Sequence, residues 1–255
     1  MVKTALTVAG SDPSGGAGLQ ADLKVFKAFG VHGLSIPAAL TAQNTAKVGP
    51  VLGVERAFLE EQFETLLADI KPDAMKTGML LTRDAIRVTA EMVKKYAPGK
   101  NFVIDPVSVS SSGRELLEKG GMDLMRDILF PLASVITPNI YEASVLTGMG
   151  IETPGEMEAA CRKLKEMGPA AVIITGGHLE DEAVDIFHDG RVTIRLEGRK
   201  LPGSFHGTGC VFSAAITAGL ALGRTPEQAA RQAKEFITEA VKNAFYPGSG
   251  MGILI

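Results

Sequence analysis

The chain has 255 residues, 45% hydrophobic and 22% charged, with a formal net charge of −3. That length supports a sizeable core, in one large domain or two small ones, and the slight acidity offers no basic footprint for nucleic acid, leaving a small molecule as the expected partner. Cys161 and Cys210 form neither a CxxC nor a zinc pattern, which points to a reducing cytoplasm; the N-terminus turns polar too early for a signal peptide, no apolar run spans a bilayer, and His32, His178, His188 and His206 are too scattered for a His metal site.

In chain order, nearly continuous apolar runs at Lys3–Ala9, Leu34–Leu40, Ala74–Thr77, Phe102–Asp105, Ser134–Thr137 and Ala171–Thr175 predict strands buried on both faces of a parallel sheet. Helical patterns follow most of them, at Leu19–Phe29, Glu55–Ile70, Arg83–Tyr96, Gly121–Leu129 and Ile140–Thr147. This alternation predicts a three-layer α/β/α domain with a central, mostly parallel sheet. Thr153-Pro-Gly-Glu156 and Thr225-Pro-Glu-Gln228 each set a capping threonine before a first-position proline, with an acidic or amide side chain at the third position. Asp189-Gly190, between Val184–Phe187 and Val192–Leu196, predicts a β-hairpin. With no internal repeat, low-complexity tract or linker, one domain over residues 1–255 is the economical reading.

Ligands of such folds gather at the carboxyl ends of the strands. The polar and glycine-rich residues fall there: Gly10-Ser-Asp12, Gln43-Asn44, Lys76-Thr-Gly-Met79, Asp105-Pro-Val107, Pro138-Asn139 and Gly176-Gly-His178. Six separate loops would converge on one edge.

His206-Gly-Thr-Gly-Cys210 leads straight into a long apolar helical pattern. Glycine backbone freedom and a helix start together make a cradle for an anion, most often phosphate. The same field would favour the thiolate of Cys210. The alternative is a glycine turn with a buried cysteine. The loop Gly10-Ser-Asp-Pro-Ser-Gly-Gly-Ala-Gly18 lacks the Lys-Ser/Thr of a Walker A motif, and its G-x-G-x-x-A starts too far beyond the strand for a Rossmann turn; a loop wrapping a substrate fits better. Asp22, in the first turn of the next helix, either complements that helix's positive end or accepts hydrogen bonds from a substrate amine or hydroxyl. Gln43, just after a strand, either reads the edge of a heteroaromatic ring or is a polar strand terminus. Asp105 is a carboxylate able to hold Mg²⁺. Asn139 and Glu142 have both the spacing of a helix cap and that of metal ligands, and the two roles are compatible. Cys161, Met75 and Met79 read as packing residues.

Together these residues resemble the hydroxymethylpyrimidine/phosphomethylpyrimidine kinases of thiamine biosynthesis, in the ribokinase-like superfamily. The resemblance covers essentially the whole chain. It is carried by residues 9–22, Ala42-Gln-Asn-Thr45, Lys76-Thr-Gly-Met79, Asp105-Pro-Val107, Thr137-Pro-Asn139 with Glu142, Ile174-Thr-Gly-Gly-His178 and His206–Cys210. It implies a ribokinase-like fold, ATP and Mg²⁺ as co-substrates, and a homodimer. It also implies that Gly10, Asp22, Gln43, Met79 and Val107 line a pyrimidine pocket. Gly207, Thr208, Gly209 and Cys210 would form the anion hole, with Cys210 where most of the superfamily has an aspartate base. Asp105, Asn139 and Glu142 would position Mg²⁺ and the triphosphate, with Lys76, Thr175 and Lys234 near ATP. Ser108-Val-Ser-Ser111 departs from the pattern, where relatives usually begin with methionine and often carry a lysine or cysteine nearby; this leaves the flap, and any covalent capture of pyridoxal there, open.

The expected function is two successive phosphorylations: a hydroxymethyl group, where a base helps, then the resulting phosphate, which is already ionised. A pyridoxine, pyridoxal or pyridoxamine kinase is the nearest alternative. A non-catalytic pyrimidine-binding module and a nicotinamide oxidoreductase are more distant ones.

Overall fold

Side chains of a strand point alternately to its two faces, so a strand that is apolar at every position needs a covering layer on each side. The computed structural model describes residues 2–97, 99, 101–110, 113–177, 183–198 and 200–255, and it meets that requirement. Strands β1 (Thr4–Ser11), β2 (His32–Gln43), β3 (Val48–Gly53), β4 (Ala74–Thr77), β5 (Asn101–Ile104), β6 (Val135–Ile136), β7 (Ala171–Ile174), β8 (Ala183–His188) and β9 (Thr193–Gly198) form one sheet. Their order is β3-β2-β1-β4-β5-β6-β7-β8-β9. From β2 to β7 every pairing is parallel, while β3, β8 and β9 are antiparallel additions at the two edges.

Leu6, Val8, Met75, Phe102, Ile104, Ile136, Val172 and Ile174 pack on one side, against α2 (Arg56–Asp69), α3 (Arg83–Tyr96), α4 (Gly121–Ile128), α5 (Ile140–Thr147) and α6 (Pro154–Lys165). Ala5, Ala74, Val103, Val135, Ala171 and Ile173, from the alternate positions, meet α1 (Gly18–Ala28), α7 (Thr208–Ala221) and α8 (Pro226–Lys242). The predicted three-layer α/β/α arrangement is what forms. Helix α7, between the sheet and α8, is buried from Val211 through Ala221.

Local chemistry explains the element ends. Thr153, Thr225 and Asn139 each close a reciprocal capping box, and Thr82 caps α3 through the Ala85 N–H. The Asp189-Gly190 turn joins β8 to β9, with Gly190 at φ +90°. Two features depart from the expected pattern. Strand β3 pairs antiparallel with β2 although Gly49, Pro50 and Gly53 interrupt it. In addition, β10 (Phe205–His206) and β11 (Gly252–Ile253) form a small parallel sheet at the entrance to α7. Among the described residues, no helix is long and apolar enough to cross a membrane.

Candidate active site

Because β1, β2, β4, β5, β6 and β7 are mutually parallel, their C-terminal ends share one edge, and the described residues of the six loops named from the sequence meet there. Helix α7 starts against that edge. Gly207 has φ +78°, and a Cβ on it would collide with the carbonyl of Gly16. The first intrahelical bond runs from the Val211 N–H to the Gly207 carbonyl at 2.9 Å, so the N–H groups of Thr208, Gly209 and Cys210 precede the ladder. A Cβ placed on Gly209 would lie 3.8 Å from Asp105 Oδ2. The donors of a positive helix end therefore stand beside a buried carboxylate.

Behind this helix start lies a buried charge cluster. Lys76 donates to Asp22 Oδ1 at 2.7 Å, and the Thr7 hydroxyl donates to Asp22 Oδ2 at 2.6 Å. Both members of the ion pair are fully buried. The expectation that Asp22 lies in the first helical turn is corrected: no acidic residue occupies the first turn of α1, and Asp22 sits one turn further in, where Lys76 can reach it. Burial opposes the charge on Lys76, but Asp22, Cys210 and Asp105 outweigh it and hold the ammonium protonated.

The expected thiolate at Cys210 is also corrected. Burial pushes the thiol up to about 12; Lys76 opposes this, while Asp105 and Asp22 add to it. One helix end does not offset the loss of solvent. Cys161 is fully buried in α6, its thiol also pushed to about 12 by burial, as befits a packing residue.

Asp105 Oδ2 accepts from the Ser213 hydroxyl at 3.0 Å, and burial raises this carboxyl to about 6. Glu142 rises to about 8, through burial and then the nearby charge of Asp105. Glu142 Oε2 accepts the Asn139 N–H at 3.0 Å, Asn139 Oδ1 accepts the Glu142 N–H at 2.9 Å, and Glu142 Oε1 accepts the Ser108 N–H at 3.2 Å. Asn139 in turn bridges to Thr175, whose N–H donates to the Pro138 carbonyl. Burial raises both carboxyls and Asp105 raises Glu142 further, a strain that a divalent cation relieves; Mg²⁺ takes one or two carboxylates alongside phosphate and water oxygens. The residues present fit that ion. Among the described residues, no group of three His, Cys, Asp or Glu could hold a metal unaided.

On the other side of the β1 loop, Met79 Cε packs where a Cβ on Gly10 would stand, and Val107 packs on the cluster formed by Ala39, Met79 and Leu116. Gly10, Met79 and Val107 are thus brought together. Gln43 proves to be the last residue of β2 rather than a residue beyond it. Its amide lies 2.8 Å from His206 Nε2, which ties the helix start and Gln43 to the same strand edge.

Residues 12–254 match the phosphomethylpyrimidine kinase family. The chain belongs to that family. The kinase, an ATP-dependent phosphotransferase, is 40% identical to the hydroxymethylpyrimidine/phosphomethylpyrimidine kinase of Synechococcus elongatus, over 99% of this chain and 97% of that one. It is 42% identical to the pyridoxine kinase of Bacillus subtilis, over 94% and 91%. It is also 42% identical to the thiamine biosynthesis bifunctional protein ThiED of Geobacter sulfurreducens, over 97% of this chain but only 51% of that protein, so it spans about half of that relative's length. Among solved structures, an ADP complex of Bacillus subtilis pyridoxal kinase superposes with a TM-score of 0.89 at 40% identity, covering 99% and 96%. The phosphomethylpyrimidine kinase of Clostridium difficile gives 0.83 at 40% identity, covering 94% and 99%. Family membership sets aside the non-catalytic module and the oxidoreductase.

In the kinase, Lys234 is buried in α8. Its ammonium donates to Asp185 Oδ2 at 2.9 Å and to the Ala183 carbonyl at 2.7 Å. Asp185 Oδ1 accepts the Gly176 N–H at 2.9 Å, so Lys234 is tied through Asp185 to Gly176, next to Thr175. His178, Ser111 and Ser112 lie outside the described residues. Sequence reasoning assigned no role to Asp12 or His206. Asp12 organises the glycine loop by accepting the N–H groups of Ser14 and Ala17, both at 2.9 Å. The only sequence signals were an aspartate just beyond a strand and a histidine heading a glycine pair.

Proposed function

We propose that the kinase phosphorylates 4-amino-5-hydroxymethyl-2-methylpyrimidine to its monophosphate and then to its diphosphate, with ATP and Mg²⁺, for thiamine diphosphate synthesis. One observation carries this reading. The N–H groups of Thr208, Gly209 and Cys210 open on the strand edge that also holds Gln43 and the Gly10–Met79–Val107 group, with Asp105 beside them. That juxtaposition supports an acceptor ring on one side and a transferring phosphoryl group on the other.

In the first step the hydroxymethyl oxygen bonds to the terminal phosphorus of ATP, the bond to the bridging oxygen breaks, and ADP leaves. The oxyanions are met by the 208–210 N–H groups and by the charge of Lys76 behind them. The hydroxyl proton needs an acceptor. Cys210 serves through its minor thiolate fraction, which the Lys76 ammonium enlarges. In the second step the nucleophile is a phosphate oxygen already ionised at neutral pH, so the same cradle acts without a base. Bound Mg²⁺ supplies charge neutralisation for the triphosphate, with Asp105, Glu142 and Asn139 to hold it. Asp22 positions Lys76. Thr175 and Gly176, the latter tied through Asp185 to Lys234, face the nucleotide.

The identity to a pyridoxine kinase favours one second reading, vitamin B6 phosphorylation by the same cradle. An ADP-release assay with hydroxymethylpyrimidine, its monophosphate and pyridoxine side by side separates the two. Turnover of both pyrimidines is the expected result, and turnover of pyridoxine alone refutes the first reading. The same reading includes a cytoplasmic homodimer. Leu40 and Leu52, cross-strand neighbours on β2 and β3, are 47% and 67% exposed and offer an apolar face for a second copy. Light scattering after gel filtration measures the assembly.

A further inference from the structure

His206 links two parts of the site that lie far apart in the chain. The residue is 7% exposed, and its Nε2 lies 2.8 Å from Asp12 Oδ2 and 2.8 Å from the Gln43 amide. Burial opposes ionisation of Asp12, yet hydrogen bonds from His206 and Ser14 keep its carboxyl below the usual range. A carboxylate only accepts, so the hydrogen of His206 is on Nε2. Nδ1 is buried without a partner among the described residues, and an unpartnered lone pair costs less there than an unpartnered N–H donor.

That assignment fixes Gln43. The structure sets Gln43 Nε2 against His206 Nε2 and Gln43 Oε1 3.2 Å from the Thr41 hydroxyl; two donors do not face one another, so the consistent assignment is the flipped amide, with Oε1 toward His206 and NH₂ toward the Thr41 oxygen. Thr41 can accept there because its own hydrogen goes to the Ser11 carbonyl at 2.9 Å. The single Nε2 hydrogen is then shared between Asp12 Oδ2 and the Gln43 oxygen, each 2.8 Å away, and every other link in the chain from Gln43 through Thr41 to Ser11 has its own donor facing an acceptor.

We propose that His206 is a positioning residue that sets the polarity of Gln43. With Oε1 occupied by His206 and one amide hydrogen by Thr41, Gln43 presents its second N–H to the acceptor substrate. It therefore selects heteroaromatic rings that offer an in-plane nitrogen lone pair at that point. Through Asp12 the same imidazole holds the glycine loop in register with the cradle, whose first residue follows it directly. The proposal rests on the reading that Gln43 faces the substrate ring.

The test compares full-length wild type with His206→Phe, which keeps a ring but no donor, and His206→Gln, which keeps a side-chain N–H. His206→Phe is expected to raise KM for hydroxymethylpyrimidine about tenfold, the effect of one lost hydrogen bond to a charged network. KM for ATP should stay within about twofold, and His206→Gln should restore most of the loss. Equal impairment of both variants, or an unchanged pyrimidine KM in His206→Phe, overturns the proposal and leaves His206 a packing residue. A long-range ¹H–¹⁵N spectrum gives a second readout that needs no turnover. Wild type should carry the His206 hydrogen on Nε2, with a bare Nδ1; the opposite tautomer overturns the clasp. If wild type turns over none of the vitamin precursors, the functional reading fails and the spectrum still decides the geometry.

Discussion

Lys76→Met probes the centre of the site. Lys76 Nζ and Asp22 Oδ1 are 2.7 Å apart with both side chains fully buried. At that separation, an effective dielectric of about 20 gives an attraction of about 6 kcal/mol, set against the cost of keeping two charges from water. Removing the lysine alone strands Asp22 with only the Thr7 hydroxyl. The expected loss is about 3–5 kcal/mol, a large share of the 5–15 kcal/mol typical of a folded domain. Asp22→Asn should cost a similar amount by stranding the ammonium. The double variant Lys76→Met/Asp22→Asn carries neither charge and should be more stable than the sum of the two losses by at least about 2 kcal/mol. Urea unfolding of the four proteins at one pH measures the cycle. Losses that simply add would refute the coupling. So would a Lys76→Met protein as stable as wild type.

Three further outcomes follow from the same geometry. With the Cys210 thiol near 12, the thiolate fraction grows about tenfold per pH unit across pH 7–9, so the alcohol step should accelerate accordingly and the monophosphate step should not. Cys210→Ala should abolish that slope and slow the alcohol step more than the phosphate step; a wild-type alcohol rate flat over this range would show that Cys210 is not the base. Glu142 is raised to about 8 in the folded protein against an ordinary 4.5, so the folded state keeps its proton to higher pH and metal-free stability falls as pH rises through that window. Glu142→Gln should flatten the decline by up to about 4–5 kcal/mol, and parallel stability curves for variant and wild type would exclude it. Gly207→Ala meets both a positive φ and the Gly16 carbonyl, so kcat should collapse while a circular-dichroism melt shows a folded protein destabilised by at least about 1–2 kcal/mol. Retained kcat would mean the cradle tolerates displacement.

What could be read in the chain was local. Buried parallel strands announce themselves as unbroken apolar runs. Thr153, Thr225 and Asn139 mark helix starts because capping needs only residues within one turn. The convergence of loops on one edge followed from parallelism alone. The unread parts depend on distance in sequence. Strand β3 carries two glycines and a proline and exists only because β2 templates it. Strands β10 and β11 have two residues each, too few for any period. Cys210 looked polarised from its neighbours in sequence; the buried surroundings that keep its proton on, with Asp105 and Asp22 adding to them, come from other elements. The Asp22–Lys76 pair spans α1 and β4, and the Asp12–His206–Gln43 chain spans three segments, so neither leaves a local spacing to recognise.

The strand that delivers the cradle has its partner far downstream. Phe205 and His206 pair with Gly252 and Ile253, and the same late segment returns to Phe245 and to Thr45, where the Met251 N–H meets the Thr45 carbonyl at 2.9 Å. During synthesis, therefore, most of the sheet can assemble while the lead-in to the cradle still lacks its second strand. The lead-in to the cradle is thus among the last contacts the chain can make, closing only once residues 252 and 253 are present.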